Sequence, residues 1–356
     1  MSKEESAMIN TPRIVVLAAV CLFAIGGFSQ ERQWPEKNFF DNSLHHTSRG
    51  IAFWYSQEQG GVEKLSGIPI AQLNCLNCHV QSCDACHAKT VNGLQVYSTE
   101  QARSQKACIE CHGIGDVEAA KKNNQFVDIH FDKGMKCLDC HTSREIHGDG
   151  KAYDTYSQEG VLEASCRNCH DQVSSINSHT VHKDKLDCNA CHVKELPSCH
   201  NCHMDTRAKE GKSHSLPLKD VFFLVNSRGK VTLATCLSFV YQNKTMIEFS
   251  PSFPHAVGRP GRACPECHAT QIIKDIRKKT FRPVTWTEAG LKNVSGVIPV
   301  LEGLNWNFPF FNYEQGKWVP IPDPSRPRIQ YAGYCTPLTD EQFRKLEKAP
   351  VSNQQK

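Results

Sequence analysis

Short helices and irregular backbone packed around something other than side chains, followed by a small β-containing domain, is the fold class this sequence predicts. Three observations predict it. The 356-residue chain holds 19 Cys and 17 His, far above ordinary usage. Seven copies of Cys-x-x-Cys-His fall within residues 75–203, about 18 residues apiece, which leaves too few apolar side chains for a conventional core. Residues 204–356 carry one further copy and a much higher share of β-branched and aromatic residues.

The eight copies are Cys75-Leu-Asn-Cys78-His79, Cys83-Asp-Ala-Cys86-His87, Cys108-Ile-Glu-Cys111-His112, Cys137-Leu-Asp-Cys140-His141, Cys166-Arg-Asn-Cys169-His170, Cys188-Asn-Ala-Cys191-His192, Cys199-His-Asn-Cys202-His203 and Cys264-Pro-Glu-Cys267-His268. Two thiols three residues apart reach the two vinyl groups on one edge of a porphyrin, and the next residue reaches the iron. The spacing is the attachment signature of c-type haem. At this composition chance predicts about 0.05 copies. A zinc protein or a disulfide scaffold built from Cys-x-x-Cys pairs does not require His after every second Cys, yet all eight pairs have it. Eight covalently bound haems c are therefore expected, and in residues 75–203 they are the core.

What occupies the sixth position on each iron decides the chemistry: His makes a saturated electron carrier, whereas an open position admits substrate. Nine His lie outside the motifs: His45, His46, His130, His147, His179, His182, His200, His214 and His255. His130 lies just before Cys137, His147 six residues after His141, and His255 just before Cys264. His179 and His182 precede Cys188 at a spacing that shares a helical face. These five, with His45, are expected distal ligands, and the isolated His214 is a seventh. The eighth is His46, pointing about 100° from His45 on a helix, or His200, which sits between its own motif's cysteines and points away from its own iron. For each, the alternative is a solvated or core histidine.

The N-terminus reads as a signal peptide over residues 1–29. Arg13 precedes an apolar run, Ile14–Phe28, too short to span a bilayer, and a polar stretch follows. Met8 is a candidate true start. Cys21, between Val20 and Leu22, is an apolar-run residue that export removes. Export suits haem attachment, and the mature chain is expected in the periplasm or at the cell surface with no membrane span. The formal charge of +4 falls to about −4 with eight ferric haems and about −12 when all are reduced, so the basic balance is no argument for nucleic acid.

Three regions follow the signal: residues 30–74, supplying distal ligands; 75–203, with seven haems; and 204–356, the β-containing domain with the eighth. A helix is expected over Asp41–Gln57, capped by Asp41 and placing Leu44, Ser48, Ile51 and Tyr55 on one face. Val221–Val225, Val231–Tyr241 and Met246–Phe249 read as strands, with Asn226-Ser-Arg-Gly229 as a turn. The Pro-rich Trp306–Pro327 reads as a strap over the surface or a neighbouring subunit, and Thr339–Lys348 as a terminal helix. Cys236 and Cys335 are enough for one disulfide, or remain free thiols.

Leu44-His45-His46-Thr-Ser-Arg-Gly50-Ile-Ala-Phe-Trp54-Tyr55, Gly67-Ile-Pro69 before the first two motifs, Glu145-Ile-His-Gly-Asp-Gly150 and Leu186-Asp-Cys-Asn-Ala-Cys-His-Val193 resemble the large multihaem cytochromes of anaerobic metal- and sulfur-respiring bacteria and archaea. The resemblance covers roughly residues 44–270. It implies closely packed bis-His haems in a chain and, for some relatives, extracellular filaments. A second resemblance is to octahaem reductases of nitrite, hydroxylamine or tetrathionate. Those mark the catalytic haem by a departure such as a Lys ligand or a missing sixth ligand, and here all eight motifs end in His. The expected function is one-electron transfer between redox partner proteins or to an extracellular acceptor, with no catalytic residue. His45 and His46 precede the first motif by about 30 residues, a reach that allows them to serve a neighbouring subunit in a head-to-tail homopolymer. The alternative keeps His45 in its own subunit and leaves His46 solvated.

Overall fold

Strand formation is strongest where β-branched and aromatic residues are frequent and Gly and Pro are confined to turns and ends, and in this chain that is residues 221–251. In the computed structural model, which describes residues 39–73, 75, 79–113, 122–123 and 126–349, the segment forms three long strands: β5 (Val221–Ser227), β6 (Lys230–Tyr241) and β7 (Lys244–Pro251). Each runs a residue or more beyond its expected bounds. Both hairpins close through two residues of positive φ, Arg228 (50°) and Gly229 (82°), then Gln242 (47°) and Asn243 (64°), the geometry that matches strand twist. The expected four-residue turn thus narrows to its last two positions.

These strands anchor an eight-stranded sheet. One edge of β6 pairs antiparallel with β5 and, further along, parallel with β3 (Ser198–His203); its other edge pairs with β7. β4 (Leu216–Leu218) extends β3, while β10 (Gly296–Pro299) and β14 (Cys335–Thr336) pair with β5, and β13 (Arg328–Tyr331) with β7. The boundary expected at residue 204 falls inside this sheet, because β3 precedes it. Three two-stranded ribbons lie outside: β1 (Ala88–Val91) with β2 (Leu94–Tyr97), β8 (Val284–Thr287) with β9 (Gly290–Asn293), and β11 (Phe311–Glu314) with β12 (Lys317–Pro320).

One sheet face carries the main core, including Phe223, Phe249, Val240, Ile298, Trp306, Phe308 and Phe310. Trp306–Pro327 is therefore not a surface strap. Its alternate aromatic residues enter the core, and the chain beyond Phe310 turns back as the β11–β12 ribbon. On the other face Phe239 and Met246 meet Val62 and Leu65 of α2 (Val62–Ser66), with Ile70, Leu73 and Met204. The helix expected over Asp41–Gln57 starts only at Arg49, as α1 (Arg49–Tyr55). Ahead of it Ser43 caps a separate single turn, its hydroxyl taking the His46 N–H and its carbonyl the Thr47 N–H.

Among the described residues between 79 and 197 the buried hydrophobic side chains are Val161, Ala190, Val193 and Leu196, while Leu94, Ile176 and Val181 are more than half exposed. The described part of that stretch has almost no side-chain core. Among the described residues no helix is long and apolar enough to cross a membrane. The expected signal peptide, Cys21 and Cys78 lie outside the described residues.

Candidate functional site

Six of the motifs adopt one local form. The N–H of His87, His112, His141, His170 and His268 returns to the carbonyl of the first Cys of its own motif at 2.8–3.0 Å, and Cys188–His192 is itself a helical turn. One turn of helix places the imidazole beside the first Cys side chain, so both thiols and the ring converge on one side.

Against six of these histidines stands a second imidazole. Ring centres lie 6.0 Å apart for His87 and His147 and 6.2 Å for His112 with His45, His170 with His130, His141 with His255, His192 with His179 and His268 with His182. Two in-line metal–imidazole bonds of about 2.0 Å, with about 1.1 Å from each nitrogen to its ring centre, span about 6.2 Å. The pairs have the separation of two axial ligands on one iron. In the first motif His46 is the imidazole acting on His79. His45 and His46 are both engaged inside this chain: Val80 N–H bonds the His45 carbonyl at 3.0 Å, and His46 Nδ1 bonds the Val80 carbonyl at 2.9 Å.

The other ring nitrogen is mostly anchored. Nδ1 of His147, His179, His182 and His268 donates to the carbonyls of Ser143, Ser174, Ser178 and Lys345 at 2.8–2.9 Å, and His192 to Gly258 at 3.3 Å. His130 donates to Asp128 Oδ1 at 2.8 Å and His141 to Glu145 Oε2 at 2.7 Å. An acceptor on Nδ1 fixes the tautomer with its lone pair on Nε2, as a metal ligand requires. His45 Nδ1 is buried without a hydrogen-bond partner.

Successive motifs are coupled electrostatically through their thiols: Cys86 with Cys111, Cys108 with Cys137, Cys140 with Cys169, Cys166 with Cys188, and Cys191 with Cys264. Arg262 ties the last junction, donating to the carbonyls of Ala190 and Val193 at 2.7 Å each.

The motif on β3 departs from all this. The His203 N–H bonds the His214 carbonyl at 2.9 Å rather than Cys199. The expected distal ligand, His214, stacks on Tyr313 with ring centres 3.9 Å apart, and the aromatic ring beside His203 is that same Tyr313, at 6.5 Å. His200 is fully buried, its Nε2 donating to the Pro309 carbonyl at 2.6 Å and its Nδ1 accepting from Ser238 Oγ at 2.7 Å. With both nitrogens engaged it has no lone pair for a metal, and burial pushes its pKa down to about 4. Cys236 and Cys335 are buried free thiols, not a disulfide, and the Cys335 thiol donates to the Phe249 carbonyl at 3.5 Å.

Asp128, Glu145 and Arg262 were missed by motif reading. A signal existed for Glu145, since Thr142-Ser-Arg-Glu145 is a capping box. Arg262 acts across a long sequence separation that no local pattern reveals, and Asp128, two residues from His130, is aimed by its bond to the distant Val257.

No protein-family model matches the chain. It is 26% identical over 175 residues to the dissimilatory sulfite reductase of Wolinella succinogenes, covering 44% of this chain and 24% of that protein. It is 30% identical over 112 residues to cytochrome c-552 of Haemophilus influenzae, covering 28% and 21% respectively. The chain thus spans about a quarter of the length of the curated relatives it matches. An octahaem cytochrome c from Shewanella oneidensis aligns over 45% of this chain and 53% of its own, at 18% identity and a TM-score of 0.30, too low to bear on the fold. The eight motifs and the likeness to a cytochrome c agree on haem c as the group these residues would hold.

Proposed function

We propose that the chain carries single electrons along a row of bis-His haems. The observation that carries the reading is the set of six imidazole pairs at 6.0–6.2 Å, each joining a motif His to one from elsewhere in the chain. Haem, when bound, supplies the one-electron iron couple. The protein's part is to hold and insulate it. Each motif turn presents two thiols and one imidazole that would hold the group, and the opposing imidazole would keep water and small ligands from its iron. Nδ1 acceptors keep the rings in the ligating tautomer. The scarcity of a side-chain core over residues 79–197 suits a stretch whose apolar partner is porphyrin.

The electrostatic coupling of thiols in successive motifs supports an order for the row: motifs at Cys83, Cys108, Cys137, Cys166, Cys188 and Cys264, in chain sequence. The first motif joins beside the Cys108 motif, because His46, which acts on His79, neighbours His45, the partner of His112. Redox partner proteins or an extracellular acceptor receive the electrons after export.

The test is spectroscopic. The oxidised protein should show low-spin ferric EPR signals only, and the reduced protein should bind carbon monoxide poorly. Reduction of a small nitrogen or sulfur oxyanion is the second reading, favoured by the likeness to a sulfite reductase. Rapid turnover of sulfite or nitrite, with a high-spin signal altered by substrate, would replace the first reading by the second.

A further inference from the structure

We infer that Cys199-His-Asn-Cys202-His203 carries no haem, so the chain holds seven haems in seven bis-His sites; the inference rests on the haem reading of the other motifs. Sheet geometry is the reason. Cys199 and Cys202 stand opposite Leu237 and Phe239 of β6, two residues apart and so on one face. The irregularity between them, with Asn201 at φ 61°, absorbs the odd residue. Cys202 packs on the cluster that holds Leu73, Phe239 and Met246. His203 is opposite Val240, whose side chain enters the main core on the other face. A porphyrin bonded to both thiols would therefore have the sheet between it and His203. The six helical-turn motifs show no such separation.

The segment's own bonds are those of a structural strand. Ser198 Oγ accepts from Cys236 N–H at 3.0 Å, and Asn201 N–H donates to Ser238 Oγ at 2.7 Å. The Asn201 amide both donates to the Phe311 carbonyl, at 2.9 Å, and accepts the Phe311 N–H, at 2.8 Å, latching the aromatic segment onto β3. Histidine use closes on the same count. Twelve of the 17 His fall into the six ring pairs, His46 acts on His79 at the first motif, and the three left over are His200, His203 and His214, all at this motif.

The experiment needs only the exported parent protein. After denaturation, alkylation of free thiols with iodoacetamide and tryptic digestion, the peptide of residues 195–207 should carry two alkylated cysteines and no haem. The peptide of residues 186–194, containing Cys188 and Cys191, should carry haem, and the intact mass should show seven haem additions. A second arm uses C199A/C202A, whose haem content per chain should equal the parent's. Haem on the 195–207 peptide, eight additions in the intact mass, or loss of one haem in the double variant would overturn the inference. Haem on none of the motif peptides would overturn the electron-carrier reading, and the inference with it.

Discussion

Asp128 holds His130, one of the proposed distal ligands. It is buried, with Oδ1 on His130 Nδ1 at 2.8 Å and Oδ2 accepting the Val257 N–H at 2.7 Å. A carboxylate on the far nitrogen makes the imidazole a stronger donor and favours the ferric state. Asp128→Asn keeps the shape and removes the charge, so one haem should titrate at a higher potential. A tenfold loss of that preference is about 59 mV for a one-electron couple, readable by spectroelectrochemistry as one component moving upward. An unchanged titration would mean the Asp128 contact is positional only. Asp128-Ile-His130 is adjacent in the sequence, but the carboxylate's direction is set by Val257, which no local reading supplies.

The terminal helix, α3 (Asp340–Glu347), was legible because Thr339 and Gln342 form a capping box and Phe343 and Leu346 face inward. What it holds was not. Near its end the Lys345 carbonyl takes His268 Nδ1 at 2.9 Å, the Leu346 carbonyl takes the Ala269 N–H at 2.8 Å, and Glu347 pairs in two-pronged fashion with Arg277. The Arg277 bond holds the Glu347 carboxyl below its ordinary value. A carboxyl lowered in the fold contributes stability above the unfolded glutamate pKa, about 4.3, and the contribution fades as pH falls through the lowered value. The pair is largely solvated, so Glu347→Gln should cost about 0.5 kcal/mol near neutral pH. Denaturant midpoints should differ between parent and variant at pH 7 and converge at pH 3; equal midpoints at both would show the pair contributes nothing. Trp306–Pro327 was misread because Pro marks extended chain without showing what its aromatic residues cover.

Assembly depends on where the first ligands are spent. A filament joined by His45 or His46 needs one of them free to reach a neighbour, yet His45 stands 6.2 Å from His112 and His46 is bonded to Val80 of its own chain. Replacing His45 and His46 by Met in turn should change the EPR and visible spectra of one haem each. Neither should alter particle size by negative-stain microscopy. Dissociation of a polymeric parent in either variant would restore the shared-ligand idea.

Haem attachment, and with it the class of the protein, is legible from the chain alone, because Cys-x-x-Cys-His is local: five residues hold all the covalent chemistry and the proximal ligand. The strands at 221–251 and the terminal helix are legible for the same reason, being written in neighbouring side chains. Distal ligation is different. His255 meets His141, and His45 meets His112, across more than sixty residues, so chain order narrows the candidates without pairing them. The same five-letter pattern makes a helical turn at Cys188 and a sheet strand at Cys199, and β6 decides between them. Where a long strand offers its edge, ladder hydrogen bonds draw the motif flat and send thiols and imidazole to opposite faces.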